Sequence, residues 1–505
     1  MIHFDHFGWQ FDGTLAPALL DVTLTIERGE FVAIAGPSGS GKSTLALAMC
    51  GLLVGRSGGQ AQGQVHIASH DIATTPLHDI AEIIGLVQQN PESQFATLTV
   101  ADEIAFGLEN CCRPPNEIRQ KRKAVMAQLA ISHLQDRELA TLSGGEQQRV
   151  AIASVIASEP AVLVLDEPTA SLDPAAAREL FKTLATLCRQ SDLTVIIIEH
   201  KLAHLLPLKP RLICLEQGRM VADLPDATGG GPRPVWLAEP AQASAPAPAA
   251  QMGTPLIEAE HLGVQYGDRT ILDDISLTIH PGEFVAVLGP NGGGKSTLLQ
   301  ALLGLLPIRH GSIRTCGVNV SPRAVSQLAR QVGMVFQNAD HQLVADTVWH
   351  EALYAIANFK LPTGEAELQT ENLLGGVGLL DRRNDHPFRL SWGEKRRLNL
   401  LSAIVHQPRL LLLDEPFAGQ DWDNVAHLLD VIRAVLSPEG NAKRQPGACL
   451  IVTHDPRVVV RLCTRVWFLA AGRVVVDAPV SPAFELLARL GHEAYVPADN
   501  VGVSQ

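Results

Sequence analysis

The chain contains one long pattern twice, and this repeat constrains its fold more than any other feature. The stretch FVAIAGPSGSGKSTLALAMCGLL at 31–53 returns as FVAVLGPNGGGKSTLLQALLGLL at 284–306, and VLVLDEPTASLD at 162–173 returns as LLLLDEPFAGQD at 410–421. Later landmarks keep a constant spacing, since Gln337 follows Gln89 by 248 positions and Glu415 follows Glu167 by 248. A constant spacing indicates that one packed unit was copied whole.

Length, charge and composition narrow the class of protein. A chain of 505 residues is long enough for two or more domains, each with its own core. The formal net charge of −13 disfavours a protein that coats nucleic acid. The 8 cysteines form no CxxC pair, which disfavours a zinc site or a disulfide framework. Because no apolar stretch reaches the ~18–20 residues that span a bilayer, we expect any contact with a membrane to be made through a partner.

The composition along the chain predicts where the domains begin and end. Residues 223–255 are rich in proline, alanine and glycine, a composition that is typical of a semi-extended linker. We therefore predict a first domain over 1–222, a second over 256–490, and a C-terminal tail over 491–505. Within each half, short aliphatic runs alternate with amphipathic patterns, which favours an α/β fold with a mostly parallel sheet. The segments near 100–150 and 348–398 carry little strand signal and are predicted to be helical inserts.

Two glycine-rich segments satisfy the pattern G-x-x-x-x-G-K-[ST]. Each follows an apolar run and precedes a helical pattern, the context in which such a segment forms a phosphate loop. Its backbone N–H groups surround phosphate oxygens at a helix N-terminus. The lysine would reach the β- and γ-phosphates, and the following serine would bind Mg²⁺. The predicted ATP-binding residues are Gly36, Pro37, Ser38, Gly39, Ser40, Gly41, Lys42, Ser43 and Thr44 in the first half, and Gly289, Pro290, Asn291, Gly292, Gly293, Gly294, Lys295, Ser296 and Thr297 in the second.

An acidic pair closes an apolar run in each half, as Asp166-Glu167 and as Asp414-Glu415. The aspartate of each pair is predicted to hold Mg²⁺ together with the phosphate-loop serine, Ser43 or Ser296. The glutamate, Glu167 or Glu415, is predicted to orient or polarise an attacking water. His200 and His454 each end a β-branched run, and their repetition favours a contact with the γ-phosphate.

With these motifs in order, the chain resembles the ATP-binding-cassette family over nearly its whole length apart from the linker and the ends. LSGGEQQR at 142–149 is similar to the family signature, Gln89 and Gln337 to its Q-loop glutamine, and the SLD and GQD segments at 171–173 and 419–421 to its D-loop. The resemblance implies two tandem P-loop NTPase domains, each with a mostly parallel sheet, an antiparallel β edge and a helical insert. It also implies that ATP and Mg²⁺ are bound, that both Q-loop glutamines serve in Mg²⁺ binding and catalysis, and that Phe11 and Tyr266 stack on adenine.

The family resemblance further implies that the two halves pair head to tail, as an intramolecular pseudo-dimer. One site would then combine Lys295, Gln337, Asp414, Glu415 and His454 with Ser143, Gly144 and Gly145, and the other would combine Lys42, Gln89, Asp166, Glu167 and His200 with Ser391, Trp392 and Gly393. The second signature, LSWGEKRR at 390–397, has tryptophan where the first has glycine. Either the indole points away and changes nothing, or ATP at that site turns over slowly.

The Q-loop segments resemble those of the energy-coupling-factor ATPases. QNPESQFATLTVADEIAFGLEN at 89–110 and QNADHQLVADTVWHEALY at 337–354 share the pattern Q-N-x-x-x-Q followed by T-V-x-x-E. Such ATPases power importers of vitamins, vitamin precursors or cobalt and nickel ions, at the cytoplasmic face of the cell membrane. Their partners are a transmembrane coupling protein and a small substrate-binding membrane protein. A tandem chain looks most like the subgroup linked to hydroxymethylpyrimidine, a thiamine precursor. The carboxylates that could meet basic residues of the coupling protein are Glu92, Asp102, Glu103, Asp340 and Glu351.

Other classes of tandem cassette protein provide the alternatives. Ribosome-associated factors carry a long charged helical linker, whereas this linker has few charges. Sugar-importer ATPases resemble the chain more closely, but they typically have a degraded phosphate loop in one half, and both loops are intact here. A sugar or peptide importer ATPase and a soluble ribosome-associated factor therefore remain alternatives to the energy-coupling-factor assignment.

Overall fold

The computed structural model describes residues 1–170, 172–200, 202–227, 234, 253–437 and 445–497, and the chain divides into two compact units, Met1–Pro240 and Ala241–Gln505. Each unit carries one copy of the repeat. The first unit contains the strands β1 (Ile2–Phe11), β2 (Leu19–Ile26), β3 (Phe31–Ala35), β4 (Gly59–Ile67), β5 (His70–Asp71), β6 (Ile84–Val87), β7 (Val162–Asp166), β8 (Thr194–Ile198), β9 (Arg211–Glu216) and β10 (Arg219–Leu224). Its α-helices are α1 (Lys42–Met49), α2 (Leu77–Ile83), α3 (Val100–Asn110), α4 (Pro115–Gln128), α5 (Gly144–Ala157) and α6 (Pro174–Ser191).

The centre of the first unit is a six-stranded sheet in the order β10-β9-β3-β8-β7-β6. The pairs β6–β7, β7–β8, β8–β3 and β3–β9 are parallel, and only the edge strand β10 runs antiparallel to its neighbour. Strand β8 is buried along its whole length and β3 and β7 along nearly all of theirs, which explains their continuous aliphatic sequences. A parallel sheet needs a crossover between neighbouring strands, and the helical segments of the repeat provide it.

Two apolar cores lie on the two faces of this sheet. On one face, Ile34 and Val164 pack with α1 and with an antiparallel sheet of order β2-β1-β4-β5, which contributes Phe4 and Trp9. On the other face, neighbouring strand residues such as Leu163 pack against α3 to α6. Because successive side chains of a strand point to opposite faces, one short strand serves both cores.

The second unit repeats this plan. Its strands are β11 (Ile257–Tyr266), β12 (Arg269–Ile279), β13 (Phe284–Leu288), β14 (His310–Thr315), β15 (Val318–Asn319), β16 (Val332–Val335), β17 (Leu410–Asp414), β18 (Ala448–Val452), β19 (Arg465–Ala470) and β20 (Arg473–Pro479). Its α-helices are α7 (Lys295–Leu302), α8 (Val325–Leu328), α9 (Val348–Ala352), α10 (Tyr354–Phe359), α11 (Thr363–Gly376), α12 (Trp392–Ile404), α13 (Trp422–Leu436), α14 (Pro456–Leu462) and α15 (Val480–Arg489). The sheets have the orders β12-β11-β14-β15 and β16-β17-β18-β13-β19-β20.

The predicted fold class is confirmed: each unit has a mostly parallel sheet, an antiparallel sheet beside it and a helical insert. Most of the predicted linker over 223–255 lies outside the described residues and stays a prediction; β10 ends at Leu224, inside its first residues. Of the predicted tail, residues 491–497 are described, and Tyr495 and Val496 are buried. Within the part of the chain that the structure describes, no helix is both long enough and apolar enough to cross a bilayer.

Candidate active site

The predicted catalytic residues of each half gather at one edge of its central sheet. In the first unit, the phosphate loop follows β3, His200 follows β8, Asp166 ends β7 and Gln89 follows β6, and these four strands are neighbours in the sheet. The second unit places its counterparts after β13, β18, β17 and β16 in the same way. The carboxyl ends of parallel strands form a crevice, which is where open α/β sheets bind ligands.

In each phosphate loop, the lysine side chain hydrogen-bonds to backbone carbonyl oxygens of the same loop. Lys42 Nζ donates hydrogen bonds to the carbonyl oxygens of Gly36 (2.9 Å) and Pro37 (2.8 Å), and Lys295 makes the equivalent bonds in the second unit at 2.8 and 2.9 Å. Gly41 precedes α1 with φ 98°, and a Cβ there would lie 2.5 Å from the carbonyl oxygen of Ala18, the residue before β2. Only glycine satisfies both conditions. Phosphate oxygens are stronger acceptors than carbonyls, so bound nucleotide would draw the lysine toward itself.

The residues predicted to bind Mg²⁺ have the chemistry that the ion requires. The neighbouring hydroxyl of Ser43 acts to lower the pKa of Asp166, and that of Ser296 acts in the same direction on Asp414. One carboxylate oxygen, Oδ1, of each aspartate is buried and has no hydrogen-bond partner among the described residues. Burial and then the charge of Glu167 raise the pKa of Asp166 to about 6, and burial raises the pKa of Asp414. A hard cation such as Mg²⁺ prefers such oxygen ligands, and one bound in each unit would satisfy the aspartate of that unit.

The glutamate beside this aspartate is held by two side chains in the first unit. Gln89 Nε2 donates a hydrogen bond of 2.6 Å to Glu167 Oε2, and His200 Nε2 lies 3.0 Å from Glu167 Oε1. The backbone of Glu167 has φ 48°, a left-handed conformation that is uncommon for residues other than glycine. The carboxylate is therefore fixed in one orientation, in which it could accept a proton from a water molecule.

The second unit repeats the glutamate and the histidine of this arrangement but differs in the contacts of its Q-loop. Glu415 also has φ 48°, and His454 Nε2 lies 3.1 Å from its Oε1. Here the guanidinium of Arg396 donates a hydrogen bond of 2.7 Å to the main-chain oxygen of Gln337, and another to that of Glu415. The corresponding position of the first unit is Gln148.

Comparisons with known proteins agree with this geometry. A family model described as "ABC transporter" matches residues 19–170 and 272–418, one match in each half. The chain belongs to the ABC transporter family. A Methanosarcina acetivorans relative, "Putative ABC transporter ATP-binding protein", is 33% identical over 536 residues, covering 95% of this chain and 86% of the relative. This ABC protein is therefore an ATP-binding, ATP-hydrolysing subunit.

Two further comparisons concern substrate and fold. The Bacillus subtilis protein "Putative HMP/thiamine import ATP-binding protein YkoD" is 33% identical over 487 residues, covering 90% of this chain and 87% of the relative. A chain in the structure described as "Model of ribosome-bound archaeal Pelota and ABCE1" is 21% identical and has a TM-score of 0.69, covering 97% of this chain and 81% of that one. At this identity, the structural similarity concerns the fold alone.

The ABC signature segments begin α5 and α12. Ser143 and Ser391 cap these helices, and each cap pairs with a glutamate three residues later in a capping box. Trp392 therefore leaves the helix start unchanged. Its ring lies under the guanidinium of Arg396, 4.9 Å from ring centroid to Cζ, so the indole packs along its own helix. The pairing of each phosphate loop with the other half's signature depends on the relative placement of the halves and stays a prediction.

The Q-N-x-x-x-Q pattern fixes the entry to each Q-loop. The side chain of Gln94 makes two hydrogen bonds to the backbone at the end of β6. Its Oε1 accepts a hydrogen bond from the N–H of Gln88 (3.1 Å), and its Nε2 donates one to the carbonyl oxygen of Leu86 (3.3 Å). Gln342 makes the same two contacts beside β16. Asn90 caps the short 3-10 helix Pro91–Ser93 that follows. The pattern thus has a local structural cause in addition to its value as a family mark.

Four of the carboxylates predicted to meet a membrane partner are occupied within the protein, and for two of them the prediction is wrong. Glu103 is 4% exposed and Glu351 is 2% exposed. One Glu103 oxygen accepts from the N–H groups of Ala96 and Thr97, and one Glu351 oxygen accepts from two consecutive N–H groups at 2.8 Å. These glutamates hold the segment that leaves the Q-loop, so they cannot face a partner. Glu92 accepts a hydrogen bond from Gln147 and Asp340 pairs with Lys395, whereas Asp102 stays exposed beside Thr99.

The remaining predicted residues that the structure describes lie at the ends of strands or at the starts of helices. Phe11 ends β1 and packs edge-on against Trp9, whereas Tyr266 ends β11 and is 49% exposed. Each lies on the antiparallel sheet of its own unit. In the D-loops, Asp173 and Asp421 cap α6 and α13, and Ser171 lies outside the described residues.

One aromatic residue beside the site escapes motif-based prediction. Tyr495 is 4% exposed, and its ring centroid lies 6.2 Å from that of His454 and 5.2 Å from that of Phe468. It belongs to the 3-10 helix Glu493–Tyr495. Only the aromatic character of AYV in an otherwise polar C-terminal stretch could have indicated that this segment is packed.

Proposed function

We propose that this ABC protein is the ATP-hydrolysing subunit of an energy-coupling-factor type importer. It would bind a transmembrane coupling protein and a small substrate-binding membrane protein at the cytoplasmic face of the membrane. The cargo would be a vitamin, a vitamin precursor or a transition-metal ion. The observation that carries the proposal is that each half assembles a phosphate loop, an Asp-Glu pair, a Q-loop and a histidine at one sheet edge.

The chemistry follows from this arrangement in either half. The phosphate loop would bind the phosphates through its N–H groups and its lysine. Mg²⁺, when bound by the serine and the aspartate, would neutralise charge on the phosphates. Glu167 or Glu415 would accept a proton from the attacking water, and the neighbouring histidine would keep that carboxylate oriented. Two complete sets of these residues suit a subunit that converts ATP binding and hydrolysis into motion.

The substrate class is supported by a relative. The Bacillus subtilis protein that is 33% identical over most of both chains has a name that assigns it to import of HMP/thiamine. A thiamine precursor such as hydroxymethylpyrimidine is therefore the favoured cargo. The cassette itself would not touch the cargo, because the side chains gathered at its sheet edge suit the binding of nucleotide.

A partner surface is supported by two aromatic residues at matching positions of the repeat. Phe106 on α3 is 41% exposed, and Tyr354 at the start of α10 is 48% exposed. Glu103 and Glu351, three residues earlier on the same segments, are bonded to the loop that follows each Q-loop. Exposed aromatic side chains that recur in both halves are typical of a surface that binds another protein.

Affinity purification of the tagged protein from solubilised membranes of its native host tests the proposal. We expect mass spectrometry to identify a polytopic membrane protein together with a small membrane protein. The double variant Phe106→Ser/Tyr354→Ser should lose both and keep ATP turnover within twofold. Val475→Ser is the matched control, since Val475 is 50% exposed on β20, and it should keep both partners.

The same experiment addresses the alternatives. Recovery of ribosomal proteins would favour a soluble ribosome-associated factor, and recovery of two large permeases without a small membrane protein would favour a sugar or peptide importer. Either result would overturn the energy-coupling-factor assignment while leaving the ATPase activity in place.

A further inference from the structure

One buried arginine connects three functional segments of the second unit. Arg396 lies on α12, the helix that begins with the signature segment, and is 4% exposed. A guanidinium keeps its charge in proteins, so its burial is costly unless acceptors surround it. Burial lowers the pKa of Arg396 to about 10, and the carboxylates of Glu415 and Asp414 oppose that change. A buried cation at this position requires a structural or functional reason.

The acceptors of Arg396 belong to the two segments that form the hydrolytic cluster. One terminal nitrogen donates to the main-chain oxygen of Gln337 at 2.7 Å, and the other donates to the main-chain oxygen of Glu415. The N–H of Glu415 is bonded in turn to the oxygen of Val452 in the neighbouring strand at 3.1 Å. Glu415, with its left-handed backbone, is therefore held through both its N–H and its carbonyl oxygen.

Trp392 of the signature segment packs against the same guanidinium. Trp392 precedes Arg396 by one helical turn, and its ring lies 4.9 Å from the guanidinium carbon. A cation that contacts an aromatic ring in a desolvated place is stabilised by it. Contacts thus run without interruption from the signature residue through one side chain to the Q-loop and to the glutamate.

The first unit lacks this connection, which makes the comparison informative. Gln148 occupies the place of Arg396, and its Nε2 has no hydrogen-bond partner among the described residues although it is 1% exposed. Glu167 has the same φ of 48° and the same bond from its N–H to the neighbouring strand, at 2.9 Å to Ile198. In this half, Gln89 instead reaches the glutamate with its side chain.

We propose that Arg396 is a positioning residue that fixes Glu415 and Gln337 relative to the signature helix of the same half. The first half relies on the Gln89 side chain for this purpose. Arg396 would therefore set the geometry of hydrolysis in the second half only, and Trp392 would exclude water from it. The proposal rests on the proposed role of Glu415 in hydrolysis.

Arg396→Gln, which introduces the residue of the first half, tests the proposal in the full-length protein. In a Glu167→Gln background, where only Glu415 remains, we expect kcat to fall at least tenfold while KM and the affinity for a non-hydrolysable ATP analogue stay within twofold. In a Glu415→Gln background we expect a loss of less than twofold. Arg396→Lys should restore part of kcat, and Arg383→Gln, which removes an exposed arginine of the same half, should behave like its parent.

Two kinds of result would overturn the proposal. Equal losses in both backgrounds, or a loss confined to the Glu415→Gln background, would mean that Arg396 acts through general stability or through the signature rather than through Glu415. If Glu415→Gln alone has no effect on turnover, the role of Glu415 fails instead, and the two failures are distinct.

Amide hydrogen exchange provides a readout that does not depend on turnover. Arg396→Gln should accelerate exchange in the peptides that contain Gln337 and Glu415 by at least fivefold, and leave those that contain Gln89 and Glu167 unchanged. Unchanged exchange in the second half, or acceleration across both halves, would contradict the proposed role.

Discussion

At the scale of single residues, His406 is a partly buried titratable group, with both ring nitrogens shielded from solvent, that the predicted catalytic clusters do not use. His406 follows α12, and its ring packs edge-on against Phe359 with 5.4 Å between the ring centroids. The guanidinium of Arg330 lies over the Phe359 ring. Neither ring nitrogen of His406 has a hydrogen-bond partner among the described residues. Burial lowers the pKa of His406 from 6.5 to about 4. Between about pH 4 and pH 6.5, the folded state thus holds a neutral imidazole where the unfolded chain would hold a charged one.

This residue makes the protein less stable in acid. Because the unfolded state binds a proton at higher pH than the folded state, the contribution of His406 is present above about pH 6.5 and is lost progressively toward pH 4. Between pH 7.5 and pH 5 the expected loss is about 2 kcal/mol of the free energy of unfolding. Urea unfolding followed by tryptophan fluorescence should show a loss smaller by this amount in His406→Leu. Equal losses in the variant and its parent would refute the assignment.

At the scale of secondary-structure elements, buried glutamates join the helical insert to the Q-loop. Glu103 on α3 and Glu351 on α9 each accept hydrogen bonds from consecutive N–H groups of the segment between the Q-loop and the helix. A buried N–H that loses its acceptor costs about 1–3 kcal/mol. The Q-loop exit is therefore held to the insert by one carboxylate in each half.

Alanine substitution distinguishes this role from a partner contact. We expect Glu103→Ala and Glu351→Ala each to lower the free energy of unfolding of the isolated protein by about 1–3 kcal/mol. Glu109→Ala is the control, since Glu109 lies exposed on the same helix as Glu103 and should change stability by less than about 0.5 kcal/mol. Unaltered stability in all three variants would contradict the structural role of these two glutamates.

How much of the fold and of the site can be predicted from the sequence depends on whether a feature lies within one contiguous segment. The parallel sheet and its phosphate loops follow from contiguous patterns, because a strand, a glycine-rich turn and a helix start lie within one short stretch. The Asp-Glu pairs and the histidines follow from repetition in both halves. The roles of Glu351 and Arg396 cannot be predicted from the sequence, because they depend on contacts with other segments of the chain, such as that of Arg396 with Gln337. A charged residue in a helical pattern predicts an exposed face, and burial can be seen only in the folded protein.

At the scale of the whole molecule, the two halves share one plan, but their signature helices differ in charge at two neighbouring positions. Gln147 and Gln148 of the first half correspond to Lys395 and Arg396 of the second. The hydrogen bond that the uncharged side chain of Gln147 donates to Glu92 is replaced by an ion pair between Lys395 and Asp340 at 2.7 Å. We expect two sites that both bind ATP but contribute unequally to turnover. The site of Glu415 is predicted to include the intact glycines of the first signature, and the site of Glu167 to include Trp392.

The most direct test is steady-state ATP hydrolysis by the purified full-length protein and three variants, Glu167→Gln, Glu415→Gln and both together. We expect Glu415→Gln to lower turnover by more than Glu167→Gln, and the double variant to lose the roughly 10²–10⁴-fold acceleration that a general base provides. Equal losses in the two single variants would contradict unequal sites. A double variant with wild-type turnover would contradict the central claim that these two glutamates carry the hydrolysis.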